Sequence, residues 1–141
     1  MKHLLTLGLL LTFLISILTA CGSTAAAVPA TPAGYTEVQI TLSDFKIQSS
    51  LTTFTAGKPY YFVITNKGAV THEFMIMPPG MGGHIKTLNK MSFAAVENIA
   101  SGETKTLEFT FVRTPSPQHL EFSCHYADHY AKGMMLPVVV E

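Results

Sequence analysis

From Tyr35 onward, apolar and polar residues alternate with a period of two. Val38, Ile40 and Leu42 interleave with Glu37, Gln39 and Thr41, and Phe45 and Ile47 resume the pattern after Ser43-Asp44. Successive side chains on a strand point to opposite faces, so this alternation marks a strand with one buried face. Tyr60 to Thr65 is a short apolar strand between the turns Ala56-Gly57-Lys58-Pro59 and Asn66-Lys67-Gly68. Glu73 to Met77 is another, stopped by Pro78-Pro79-Gly80. In Thr104 to Val112, Leu107, Phe109 and Phe111 face one way and Thr106, Glu108 and Thr110 the other. His119 to Cys124 and Met135 to Val140 complete the set. Many short strands with turn residues between them imply an all-β, antiparallel sandwich or barrel. Residues 81–100 break the pattern and read as an insertion between strands, with Lys90 to Glu97 able to form a short helix.

The N-terminus follows a different rule. Lys2 and His3 precede an almost wholly apolar run from Leu4 to Leu18. That run is shorter than the roughly 20 apolar residues of a spanning helix and has the shape of a secretory signal. Leu18-Thr19-Ala20-Cys21 resembles the bacterial lipobox, which implies cleavage before Cys21 and a lipid on its sulfur. The expected organisation is a signal peptide over 1–20, a lipidated cysteine and flexible linker over 21–35, and one domain over 36–141. The small, polar and Pro-containing residues of the linker suit a tether. A lipid anchor places the domain outside the cytoplasm, at a membrane of a bacterial cell envelope, facing the periplasm or the exterior.

Charge adds little steering. The nine basic and nine acidic residues cancel, and loss of Lys2 with the leader leaves an excess of one acid. Nothing in this balance points to nucleic acid. Cysteine count changes the picture more. Of the two cysteines, Cys21 is assigned to lipid, which leaves Cys124 alone in an exported domain. A lone exported thiol either does chemistry or is buried as a small hydrophobe.

Its neighbours favour chemistry. Cys124-His125-Tyr126-Ala127-Asp128-His129-Tyr130-Ala131-Lys132-Gly133-Met134 spaces Cys, His and Met as C-x4-H-x4-M between two expected strands. One loop can wrap a metal in this way, and His72, directly before the strand at Glu73, is placed to supply a fourth ligand. A thiolate, two imidazoles and a weak thioether form the donor set of a blue copper electron-transfer site. Structural zinc prefers four Cys or His ligands. Met134 and Met135 are adjacent, and strand alternation lets only one of them face the metal. His125 lacks the second flanking histidine of a multicopper oxidase cysteine and is read as a non-ligand. His119 and His84 are read as surface residues.

The two segments together resemble the cupredoxins, the plastocyanin, azurin and rusticyanin-like blue copper proteins. Asn66 to Phe74, with His72-Glu73-Phe74, resembles the first-histidine strand of that family. Cys124, His129 and Gly133-Met134 resemble its C-terminal ligand loop. The resemblance implies a Greek-key β-sandwich of about seven or eight strands holding one type 1 copper through His72, Cys124, His129 and Met134. Two departures stand out. Ala127-Asp128 occupies the place of a common Pro-Gly, and Met135-Leu136-Pro137 follows the methionine where a small residue is frequent. A proline inside a central strand forfeits a ladder hydrogen bond, so Pro137 implies either late pairing or an unpaired position.

The function this implies is one-electron transfer by a monomeric, membrane-tethered carrier that makes and breaks no substrate bond. A cytochrome, an oxidase or a reductase would be its redox partner. Copper binding for delivery is the competing reading, supported by Met75, Met77, Met81, His84 and Met91 as a second, soft Cu(I) site. Met75 and Met77 share a strand face, where core packing is the simpler account. A third reading, a reductase or oxidase domain, needs a second copper with an open position. Met81, Pro78 and Pro79, with Tyr126 and Tyr130, are expected to form an apolar surface near the metal for partner contact.

Overall fold

The computed structural model describes residues 29–82 and 88–141. The signal segment, Cys21, most of the linker and His84 lie outside the described residues. Nine strands and one helical turn are present among the described residues: β1 (Thr36–Ser43), β2 (Lys46–Ser49), β3 (Thr53–Phe54), β4 (Pro59–Asn66), β5 (His72–Met77), α1 (Leu88–Met91), β6 (Ala94–Ile99), β7 (Thr104–Thr110), β8 (Gln118–Ser123) and β9 (Met135–Val140). They form two sheets, β2-β1-β4-β7 and β3-β9-β8-β5-β6.

The alternation read from the sequence selects the inward faces. Val38, Ile40 and Leu42 of β1 pack with Tyr60, Phe62 and Ile64 of β4, Phe74 and Ile76 of β5, Phe122 of β8 and Val138 and Val140 of β9. Phe62 is fully buried and touches the rings of Phe54, Phe74 and Phe122 at centroid separations of 5.8–6.0 Å. Burying such a ring contributes about 1.5–3 kcal/mol, so this aromatic layer is the main cement between the sheets.

Two features differ from the sequence expectation, and a third decides between its alternatives. The sheets are not wholly antiparallel: β1 runs parallel to β4, and β3 parallel to β9. A parallel pair needs a crossover. The chain makes one by passing through β3 in the opposite sheet before returning as β4. The segment 81–100 is also less helical than its composition allows. Among the described residues only Leu88–Met91 turns as helix, and Ala94–Ile99 is a strand. There Val96 and Ala94 stand opposite Phe74 and Ile76, and pairing to the open edge of β5 outweighs the weak preference of a short helix. Pro137 lies within β9, so of late pairing and an unpaired position it takes the second. The Cys124 N–H donates to the Met134 carbonyl at 3.1 Å, which sets the ladder parity. By that parity Pro137, opposite Glu121, turns its nitrogen away from β8. On the other side β3 reaches only Val139 and Val140, so the proline forfeits no ladder bond.

Replacing Phe62 with Ala is expected to destabilise the domain by about 3–5 kcal/mol. Equilibrium denaturation checks this; a loss under about 1 kcal/mol, the range of tolerated repacking, would contradict the packing described.

Candidate metal centre

The site lies at one end of the sandwich, where β5 and β8 emerge beside the β8–β9 loop. Leu120, Phe122 and Cys124 share one parity on β8 and its extension, and Met134, Val138 and Val140 share one at β9. Both sets face the core. Cys124 and Met134 are each fully buried, whereas Met135 is half-buried and stands opposite Ser123 on the outer face. Alternation therefore turns Met134 inward and Met135 outward. His72 opens β5 beside a register shift between His72 and Phe74, and it too is fully buried.

His129 comes from the loop. Its N–H donates to Tyr126 O at 2.7 Å, and its carbonyl accepts the Met134 N–H at 3.0 Å. Two residues let the chain curl this tightly. Gly133 has φ +94° and Asp128 φ +64°. Aspartate tolerates the left-handed region better than most side chains, which accounts for Ala127-Asp128 where Pro-Gly was the expected pattern.

The donor atoms converge. His72 Nδ1 lies 3.2 Å from His129 Nδ1, and Cys124 Sγ lies 3.3 Å from His129 Nδ1. The ligand atoms of His72, Cys124 and His129 all lie within 4.8 Å of one another. Metal–nitrogen and metal–sulfur bonds of about 2.0–2.3 Å suit donors separated by roughly 3.2–3.8 Å. The group fits a single ion, and its softness suits copper.

Neighbouring residues hold these donors in place. The far nitrogen of His72, Nε2, meets Asp44 Oδ1 at 3.1 Å, an arrangement that turns Nδ1 toward the centre and strengthens it as a donor. Asp44 is itself fixed by the Ala69 N–H at 3.0–3.1 Å. That N–H, followed by His72 and the Val70 N–H, holds the Asp44 carboxyl below its ordinary value. Gly68 passes so close that an added Cβ would overlap the Asp44 carboxylate and come within 2.9 Å of His72 Nε2. Asn66 pins this turn by donating to Val70 O and Ile99 O and accepting the Gly68 N–H. Glu73 serves the cysteine. Its backbone N–H donates to Cys124 Sγ at 3.4 Å, and its Oε1 accepts the His125 N–H at 2.7 Å. Phe45, at φ 128°, sets its ring 4.9 Å from that of His129, and Lys132 Nζ lies 4.2 Å from the centroid of the Phe45 ring.

Electrostatics favour neutral imidazole and a masked thiol in the metal-free state. Burial first, then His72 and Lys132, holds the His129 imidazole below its ordinary 6.5. Burial pushes the Cys124 thiol up, against the backbone N–H groups of Glu73 and Tyr126. Metal uptake must therefore displace a proton from sulfur.

The other residues weighed from the sequence fall elsewhere. His125 is buried but points away from this group; it stacks on Tyr130 with centroids 4.7 Å apart and bonds Ser123 Oγ at 2.9 Å. His119 is exposed. The expected apolar surface divides in two. Tyr126 lies near His129, whereas Met81 packs on Met75 and Met77, and Tyr130 lies with His125 and Glu121. Asp44, Glu73, Gly68 and Phe45 carry no site signal in the sequence beyond the turn at Gly68 and the position of Glu73 beside His72.

The family model of the cupredoxin-like domain matches residues 10–136. No curated protein matches the sequence. Among solved structures, the chain is similar to a dithionite-reduced auracyanin from the photosynthetic bacterium Roseiflexus castenholzii. That likeness has 22% identity and a TM-score of 0.59, and it covers 77% of this chain and 99% of the other. A rusticyanin aligns at 17% identity and a TM-score of 0.58, covering 79% and 80% of the two chains. A multicopper oxidase from Pediococcus acidilactici aligns at 16% identity and a TM-score of 0.54 over 82% of this chain, but over only 29% of its own length.

Gly68→Ala should displace Asp44 from His72 and weaken copper binding by about 10–100-fold, the range for loss of an outer support. Competition against a chelator measures it, and an unchanged affinity would refute the supporting role. In the metal-free protein, the His129 ring should titrate by NMR below 6.5. The neutral ring then persists to lower pH than in a free histidine. Titration at or above that value would contradict the arrangement.

Proposed function

The chain belongs to the cupredoxin-like family, and from that premise we propose that it is a membrane-tethered carrier of single electrons. Copper held by His72, Cys124, His129 and Met134 supplies the one-electron couple. The observation that carries the reading is the burial of this donor set: His72, Cys124 and Met134 are fully buried and His129 is 9% exposed. Asp44 orients His72, the Glu73 N–H braces the thiolate, and the β8–β9 loop fixes His129. Donors held so firmly move little when the charge at the centre changes, which keeps reorganisation small. Among the described residues these four donors close the site, which disfavours both binding of a substrate at the ion and release of the ion to an acceptor. Both points support a carrier over an oxidase, a reductase or a delivery protein. Met134 rather than Met135 would supply the thioether, by its inward parity.

Lipidation at Cys21 would hold the domain at an envelope membrane, with residues 22–35 as the tether. Restriction to that surface raises its effective concentration toward partners there. Those partners are redox proteins, a donor such as a cytochrome and an acceptor such as an oxidase or reductase. The domain works as a monomer in this reading.

Addition of Cu(II) to the domain lacking residues 1–34 should give an intense visible band at one copper per chain and a reversible voltammogram. Cys124→Ala should abolish the band with the fold retained. Met134→Leu should keep the band and raise the potential, because a thioether donor to Cu(II) would be lost. Met135→Leu should leave the potential nearly unchanged. A colourless protein that binds only Cu(I) would overturn the carrier reading in favour of delivery.

A further inference from the structure

The outer face of the five-stranded sheet holds a second buried cluster that the copper centre does not use. Met75 and Met77 are 1% and 0% exposed and form a group apart from the main core. Met81, partly buried, packs against them from the loop after β5. Alternation puts Phe74 and Ile76 into the sandwich, so Met75 and Met77 project from its other side. On the neighbouring strand Glu121 stands directly opposite Met77, and Ser123 opposite Met75. Residues opposite one another in an antiparallel pair have Cβ atoms about 4.5–5.5 Å apart. Glu121 therefore shares this face with the thioethers.

Glu121 is the anomaly. It is 1% exposed. Its Oε2 accepts the Gly80 N–H at 3.2 Å and the Tyr130 hydroxyl at 3.1 Å. Its Oε1 is buried and has no hydrogen-bond partner among the described residues. Neither ion pair found among the described residues includes it. The carboxylate is thus held through one oxygen, while the other has no partner among the described residues. Tyr130 is fixed in turn by stacking on His125 and by the close passage of Gly82, where a Cβ would overlap its ring. Plain packing accounts for the methionines alone. It does not account for a buried carboxylate oxygen set on the same face, because an unpartnered buried polar atom is costly.

We propose that Met75, Met77, Met81 and Glu121 form a second metal site, for one soft monovalent cation of the Cu(I) class. Thioethers select soft ions over magnesium or calcium, and zinc takes Cys, His and carboxylate ligands rather than Met. A single positive charge neutralises the single carboxylate, so the occupied site is electrically neutral inside the protein. Tyr130 and the Gly80 N–H supply the outer support that ligating carboxylates require. Met81 is half-buried and offers the way in. The site is distinct in ligands and in sheet face from the His72–Cys124–His129 group, and it stands whether or not that group carries electrons.

The test uses Ag(I), a soft ion without redox chemistry of its own under these conditions. Protein already loaded with one Cu(II) should retain one further equivalent of Ag(I) after ultrafiltration, with its visible band unchanged. The Met75→Leu/Met77→Leu variant nearly conserves core volume. It should keep the band and bind the added Ag(I) at least about tenfold more weakly, the scale on which metal sites respond to lost support. The same Leu pair introduced into a Cys124→Ala background should remove one equivalent of Ag(I) from that protein as well. This arm needs no coloured centre, so it separates failure of the second site from failure of the carrier reading. Absence of a further equivalent in the copper-loaded protein, or uptake undiminished by the Leu pair in both backgrounds, would overturn the proposal.

Discussion

The pairing of Cys124 with Met134 across the end of the β8–β9 ladder is the constraint on which the metal centre depends. One backbone hydrogen bond, from the Cys124 N–H to the Met134 carbonyl at 3.1 Å, continues the register of the two strands past their last regular pair. Because side chains alternate, that register decides which residues face inward. Cys124 follows Leu120 and Phe122 into the core, and Met134 precedes Val138 and Val140. A slip of β9 by one residue against β8 would set Met135 opposite Cys124 and turn it inward in place of Met134. The loop between the paired residues then has one task, to bring His129 back over the gap.

The second requirement is that donors brought together should stay apart from water and hold their directions. The sandwich provides the first, since the same apolar faces that cement the sheets close the inner side of the site. Polar contacts provide the second. Asp44 and Glu73 reach the centre from opposite directions, one through His72 and the other through Cys124 and His125. Gly68 makes room for the Asp44 contact, and Asn66 keeps the turn in place. The fold thus spends its irregular geometry close to the metal: the positive φ of Phe45 and Asp128 and the register shift in β5 all lie near one end. Strained backbone gathers in this way where surrounding structure over-determines it.

Much of this was legible in the sequence because it is local. Cys124, His129 and Met134 sit within one loop, and the alternation of β1, β7 and β8 is written in consecutive residues. His72 was legible from its place at the head of an apolar strand. What escaped depends on contacts between distant parts of the chain. Asp44 belongs to the β1–β2 turn and meets His72 only after β4 has been laid beside β1. The strand Ala94–Ile99 was obscured by residues that suit a short helix, and only the open edge of β5 makes it a strand. The parallel pairs follow from the excursion through β3, two residues long and nearly invisible to periodicity. The resemblance of Gly133-Met134 to the family loop favours Met134 over Met135, and the ladder parity adds the inward facing of Met134, which spacing alone leaves open. The expected single apolar surface came apart because Tyr126 and Tyr130, four residues apart in a turning loop, face different sides.

The central claim is that a thiolate and two imidazoles from these three elements bind one copper together. Copper K-edge X-ray absorption on the Cu(II)-loaded domain tests it most directly. The account predicts one short sulfur scatterer and two imidazole nitrogens about the metal, with the sulfur lost in Cys124→Ala. A shell of nitrogen and oxygen alone, unaltered by that substitution, would contradict it.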